Sequence, residues 1–531
     1  MEKSHLLAAY VPEAGAGWLF IEADTLAGLG SALLLHWELV AGALLLLLGG
    51  LLFMRRTTQK FGEELHAAVK QDEAPASQPA TASSAPAPPD PVLVRQLIAL
   101  LASRQAWGPA ADNLVALGET GLPALKEALA IETDERHLQR LAQVVARLGT
   151  PAARHYLMGM AKSAGLGGRA AALQALGGFA SVQSDAPVFQ RLVEEEMRLA
   201  QHLLHGMMGA TDELRAALRY EVRKGVQRLF GLLVQLYERQ PLLAVQRSIR
   251  HLAGKRQPQY LQALETLIPR PIYRGLQALL LEDELRSQVR TFDELLGPAT
   301  TSEPVQTTIV RRGAAAFSAW TISVALRQWH PQPATVAYLQ PHLQAPNELV
   351  QESAWRVLQQ LPVQRPAAYD QLLTDYPALA PPLAAPVARV SAQERVLLLK
   401  ATPLFAETPE NVLGDIVPIM QEVVFQPGQE IFGKGALGTS LFIVCDGEVD
   451  IVNGARHLTT FRNGDFFGEL ALLDAEPRSA TALAHSRVVV FRLDQEDFYE
   501  VMTERSEVLH NIMRALCHRL RQQNEKTYAL Q

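Results

Sequence analysis

The sequence predicts a multidomain chain: a single transmembrane helix, an all-α repeat solenoid, and a small α+β unit in which a β-roll is closed by a C-terminal helix. Three observations carry this expectation. An uninterrupted apolar run fills Leu39 to Met54. Apolar residues recur at helical spacing through most of Val92 to Leu361, and from Val423 onward short Val/Ile/Phe runs alternate with glycines at the spacing of tight turns. The expected division is 1–36 as an extracytoplasmic or interfacial segment, 37–56 as the transmembrane helix and 57–91 as an Ala/Pro/Ser-rich linker. Then come 92–361 as the helical domain, 362–392 as a Pro-rich connector and 393–531 as the roll with its helix.

The apolar run LVAGALLLLLGGLLFM is followed at once by Arg55 and Arg56, and then by Lys60. At ~1.5 Å per residue it spans roughly 24 Å against a hydrocarbon core of ~30 Å, so the helix is expected to reach back through Trp37. A cleaved signal peptide would place its positive charge before the run rather than after it. The basic cluster predicts a single-pass protein of the inner or plasma membrane with its C-terminal bulk in the cytoplasm. Leu26 to Leu35 is a second apolar stretch that fits a poor membrane segment, an interfacial helix or an outer cap. Gln71 to Pro91 lacks branched apolar and aromatic residues, cannot offset its ordering entropy and reads as a tether.

In the helical region, Asn113 to Ala130 and Val144 to Ala161 share one scheme, and Ala170 to Phe179 begins it again: an apolar helix, a glycine-containing turn, a proline or small residue, then a second apolar helix. Units of this kind bury their faces by stacking on one another, which is the logic of an α-solenoid and resembles degenerate HEAT repeats. Gly297 to Gly313, with Pro298 and Pro304, reads as a loop between helical blocks. Ser391 to Leu399 reads as the helix leading into the roll.

The most specific stretch is Phe467 to Ala482, FGELALLDAEPRSATA. Arg478 offers a planar fork of donors suited to an anion, and Glu469 offers a carboxylate acceptor suited to a hydroxyl. Gly468 lets the main chain approach a ligand, and Leu470-Ala471-Leu472-Leu473 suits one helical turn whose N–H groups face an anion. Ser479 and Ala480 add a hydroxyl and an amide. Upstream, Gly428, Gly435, Gly438 and Gly447 punctuate short strands; downstream, Arg487 to Leu493 closes the roll and Asp497 to Asn524 forms a helix.

On these motifs Gln393 to about Asn524 resembles the cyclic nucleotide-binding domain shared by the catabolite activator protein, the regulatory subunits of cyclic-AMP-dependent kinase and cyclic-nucleotide-gated channels. The resemblance implies that Glu469 binds the ribose 2′-hydroxyl, with Gly468 and Leu470 along the same sugar edge. It implies that Arg478, Ser479 and Ala480 bind the cyclic phosphate, with Ala471 in the helical turn beside it, and that Gln523 and Asn524 lie near the base. The ligand expected is cyclic AMP, with cyclic GMP as the alternative. Gly225 to Leu281 also resembles the helical repeats that bacteria place before such a domain in proteins with a nucleotide-transporter-like membrane part.

Net charge is −6, and no segment joins clustered Lys/Arg to a recognition-helix pattern, so a nucleic-acid partner is not expected. Cys445 and Cys517 are too few for a disulfide framework or a cysteine-based zinc site, and Glu194, Glu195, Glu196, His202 and His205 read as a solvated helix face without metal-ligand spacing. No Walker loop, kinase signature or nucleophile elbow is present. The expectation is a non-enzymatic, membrane-anchored sensor that needs no metal and holds a protein partner on its helical repeats. A scaffold whose roll binds no ligand, and an auxiliary subunit of a membrane transporter, are the rival expectations. The ladder Val508, Ile512, Leu516 and Leu520 suits packing on the roll or pairing of two chains in a homodimer.

Overall fold

The computed structural model describes residues 7–8, 20–21 and 90–521, without 104–105, 133, 164, 181, 252–256, 282–283, 300–302, 378–389, 469–476, 505–511, 515–516 and 518–520. The chain divides into two compact units, Met1–Pro88 and Pro89–Gln531. In the first, β1 (Leu7–Ala8) pairs antiparallel with β2 (Phe20–Ile21). The expected transmembrane segment 37–56 and residues 57–89 of the expected linker 57–91 lie outside the described residues. Among those described, no helix is long and apolar enough to cross a membrane. The expectation of a single-pass membrane protein is corrected accordingly: a ~30 Å hydrocarbon core needs about twenty apolar helical residues, and no described helix supplies them.

The second unit begins with helices running from Pro91–Leu100 to Pro366–Asp375. The elements that position the later argument are α1 (Leu166–Leu176), α2 (Ala186–Met208), α3 (Asp212–Leu236), α4 (Ala319–Gln328) and α5 (Glu348–Gln364). Helix α3 shows why the sequence folds this way. Thr211 caps it by accepting from the Leu214 amide, Asp212 and Glu213 favour its positive end, and Leu214, Leu218, Val222, Leu229 and Leu233 bury one face. Helix lengths range from 4 residues in Gln340–Leu343 to 25 in α3, so the expected helical bulk is present without a fixed unit length.

Two local expectations are corrected here. Val305–Arg312, expected within a loop, is a helix with Pro304 just before it, where a missing N–H costs nothing. Val305 holds it in place by packing against Gly206 of α2, where an added Cβ would come within 2.7 Å of the valine Cβ. The run Glu194–Glu196 is not uniformly solvated. Glu196 is 2% exposed and takes Arg169 Nη1 at 2.9 Å and Arg228 Nε at 3.0 Å.

After the helical part come α6 (Ala392–Ala401) and α7 (Glu410–Ile416). Ser391 and Glu394 form a capping box at the start of α6, as Ser391 foreshadowed. The strands β3 (Gln421–Phe425), β4 (Glu430–Phe432), β5 (Ser440–Asp446), β6 (Val449–Asn453), β7 (Arg456–Phe461), β8 (Phe466–Phe467), β9 (Thr481–Ala484) and β10 (Val488–Asp494) make two antiparallel sheets, ordered β3-β10-β5-β8 and β4-β9-β6-β7. Helix α8 (Gln495–Glu504) follows directly.

Side-chain alternation along β5 and β10 sends residues to opposite faces. Phe442, Val444, Val488 and Val490 fill the interior of the roll. Leu441, Ile443, Phe491 and Leu493 point the other way and join one apolar core that runs on through Phe498, α6 and α7 into the helical domain. The register is set by Val490 opposite Val444 and Phe491 opposite Ile443.

Candidate functional site

The floor of the roll is built around Arg478. Its backbone is clamped by the turn 433–438: the Arg478 amide donates to the Ala436 carbonyl and the Gly435 amide to the Arg478 carbonyl, each at 2.8 Å. The side chain runs inward and is 8% exposed. Its Nη2 donates to the Ser440 carbonyl at 2.7 Å and its Nη1 to the Gly468 carbonyl at 3.2 Å. The guanidinium lies over the Phe432 ring, 4.1 Å from the centroid, an attraction that strengthens where water is excluded. Phe432, Phe442, Phe461 and Phe467 stack behind it with centroids 5.3–5.8 Å apart, giving the cation a rigid apolar wall.

Two glycines make room for this side chain. A Cβ on Gly438 would fall 2.1 Å from Arg478 Nε, and one on Gly468, whose φ is +77°, would fall 2.4 Å from Nη1. Any larger residue at either place must displace the guanidinium or its wall.

Of the residues singled out in the sequence, the structure brings Gly468, Arg478 and Ala480 together and leaves Ser479 exposed beside them. Glu469, Leu470, Ala471, Gln523 and Asn524 lie outside the described residues, as do Val508, Leu516 and Leu520 of the terminal ladder. Ile512 of that ladder is buried. Sequence reasoning had read Gly438 only as a turn residue and did not foresee the acceptor role of the Ser440 carbonyl or the four-phenylalanine wall. The phenylalanines were visible as strand residues, but a main-chain acceptor leaves no side-chain signature.

Around the roll, Asp450 accepts from Thr460 Oγ1 at 2.6 Å and meets His485 Nδ1 at 2.7 Å. The Thr460 hydroxyl, with His485 and His457, holds its carboxyl below the usual carboxylate range against the opposing effect of burial. In the helical domain His202 Nε2 meets Thr308 Oγ1, and burial lowers its pKa. Both cysteines are free thiols. Among the described residues no cluster of His, Cys, Asp and Glu could hold a metal ion.

Residues 422–505 match the family described as the cyclic nucleotide-binding domain. This part of the chain is a cyclic nucleotide-binding domain. The cAMP-dependent protein kinase regulatory subunit of Schizosaccharomyces pombe is 30% identical over 119 residues, which are 22% of this chain and 29% of that one. The cGMP-dependent protein kinase of Toxoplasma gondii is 34% identical over 116 residues, 22% of this chain and 11% of the relative. The crystal structure of the Thermus thermophilus catabolite activator protein is 29% identical, with 24% of this chain and 63% of that chain covered and a TM-score of 0.23. The chain thus spans less than a third of the length of the two kinase proteins.

Proposed function

We propose that this protein is a non-enzymatic cyclic nucleotide sensor in which ligand held by the roll alters a helical domain that engages a protein partner. The observation that carries the reading is Arg478: a buried guanidinium on an aromatic wall, fitted between two glycines that leave no space for a Cβ. Main-chain carbonyls bear only partial negative charge, so a phosphodiester reaching this fork is a stronger acceptor than Ser440 or Gly468 provides. Arg478, Ser479 and Ala480 bind the cyclic phosphate. Gly468, Glu469 and Leu470 form the ribose side, with Glu469 on the 2′-hydroxyl, Ala471 belongs to the turn beside the phosphate, and Gln523 and Asn524 face the base. Cyclic AMP is the ligand proposed, supported by the kinase regulatory subunit of fission yeast among the relatives. Cyclic GMP is the alternative, supported by the cyclic-GMP-dependent kinase.

Calorimetric titration of the full chain with both nucleotides tests this. Saturable binding of cyclic AMP that Arg478→Ala weakens tenfold to a hundredfold, the size expected for a charge-assisted hydrogen bond of roughly 1.5–3 kcal/mol, is the supporting result. Absence of binding at millimolar nucleotide would leave a scaffold whose roll has kept its architecture alone.

A further inference from the structure

Taking the sensor reading as its basis, we propose that Asn411 is the joint through which nucleotide binding reaches the helical domain, registered there as a shift of α7 against α3 and α4. Asn411 sits on α7 and is 3% exposed. Its Nδ2 donates to Ser318 Oγ and to Thr321 Oγ1, both at 2.8 Å. Those two residues open α4 and turn their donors onto Glu221 of α3. Glu221 Oε1 accepts from the Ser318 amide at 3.0 Å, Ser318 Oγ at 2.7 Å and Thr321 Oγ1 at 2.8 Å. The hydroxyls therefore accept from Asn411 and donate to Glu221, a chain of bonds polarised in one direction. Glu221 is buried, and among the described residues no cation lies within ion-pair range of it; its Oε1 is held by neutral donors that Asn411 orients.

An apolar contact tolerates sliding, but hydrogen bonds weaken steeply as their geometry opens, so this network gives α7 one defined position. Gly414, one turn on, tightens the fit. A Cβ there would lie 3.2 Å from Leu349 Cδ1 of α5 and 3.7 Å from Trp320 Cβ of α4.

The other end of the same path is Arg478. Its acceptor, the Ser440 carbonyl, belongs to a residue whose hydroxyl donates to Asp494 at 2.6 Å. The preceding Thr439 carbonyl takes the Gln495 amide at 2.7 Å, and Gln495 begins α8. Phe498 of α8 then packs edge-on against Phe405, with centroids 6.0 Å apart, in the segment that leads from α6 to α7. A phosphate that draws the Arg478 fork from Ser440 loosens the anchor of α8, and the strain passes through Phe405 to α7. Contiguity alone is not coupling, so the test must measure linkage.

The full-length chain is titrated with cyclic AMP as wild type, as Asn411→Ala and as Gly414→Ala, and hydrogen exchange is followed with and without nucleotide. The structure holds α7 in the position that accompanies the Arg478–Ser440 bond, so loosening that position favours the bound state. Asn411→Ala is expected to tighten binding about fivefold or more, at the lower end of typical allosteric coupling. Gly414→Ala, a single methyl that leaves every polar partner in place, is expected to tighten it about twofold. In the wild type, nucleotide is expected to raise exchange in 212–236 and 319–328, and Asn411→Ala is expected to abolish that change. A wild type that binds nucleotide with no exchange response in those helices, or variants that bind no more tightly than wild type, would overturn the joint and leave the sensor standing. A wild type that binds no nucleotide would defeat the sensor reading itself.

Discussion

Buried arginines occur in both halves of the second unit, and they are held differently. In the helical domain Arg169 and Arg228 close on the carboxylate of Glu196, supplied by a neighbouring helix and itself fully buried. In the roll Arg478 donates to main-chain oxygens of Ser440 and Gly468 and lies on a phenylalanine face. A full countercharge in a dry interior is a fixture, because breaking it strands an ion. A carbonyl oxygen can be exchanged for an incoming anion without that penalty. The same side chain is thus a rivet in one region and a receptor in the other, and the identity of its acceptor makes the difference.

Removing the rivet gives the largest expected effect. Glu196→Ala leaves Arg169 and Arg228 facing each other without their shared carboxylate, and denaturant melts should show a loss of about 3–5 kcal/mol. If stability barely changes, the contrast drawn between the two arginine sites is broken. Arg478→Lys sharpens it from the other side: the charge stays but the fork is lost, so nucleotide affinity should fall by about tenfold with little change in melting temperature. Gly438→Ala asks whether the cradle matters as much as the cation. Its methyl group would overlap Arg478 Nε, and an affinity loss approaching that of the lysine variant is expected, measured by the same titration.

Smaller effects lie away from both arginines. Ser391→Ala should destabilise the start of α6 by roughly 1 kcal/mol in a denaturant melt. Thr460→Val removes the donor that does most to hold Asp450 ionised and should cost roughly 0.5–1.5 kcal/mol at neutral pH. Because the folded pKa of Asp450 is depressed, that contribution is present above the ordinary carboxylate value of about 3.9 and is lost as pH falls through the folded value. The difference between wild type and variant should therefore shrink in melts at acidic pH.

What could be read from the sequence was whatever is encoded locally. Turn glycines with Val/Ile/Phe runs located the roll, the stretch Ser391 to Leu399 located α6, and the motif Phe467 to Ala482 singled out Gly468 and Arg478, which the structure joins. What could not be read depends on distant partners. The run Glu194–Glu196 looks like a wet helix face until Arg169 and Arg228, 27 and 32 positions away, are brought onto Glu196. Ser318 and Thr321 look like ordinary helix-start residues until Asn411 arrives from about 90 positions further on. Val305–Arg312 was hidden by its flanking prolines and glycines, which mark loops and helix ends alike.

The outward rows of β5 and β10 have a practical consequence for anyone who would cut this molecule in two. Leu441, Ile443, Phe491 and Leu493 spend their greasy side on the helices, not on the barrel they belong to. Excising residues 393–531 would keep α6, α7 and Phe498 over that row but strip α4 and α5 from α7, where Gly414 meets Trp320 and Leu349, and the fragment should be sticky and short of its full melting temperature. The intact chain from Pro89 onward should instead lose its helical and sheet signals together in circular dichroism, as one cooperative body.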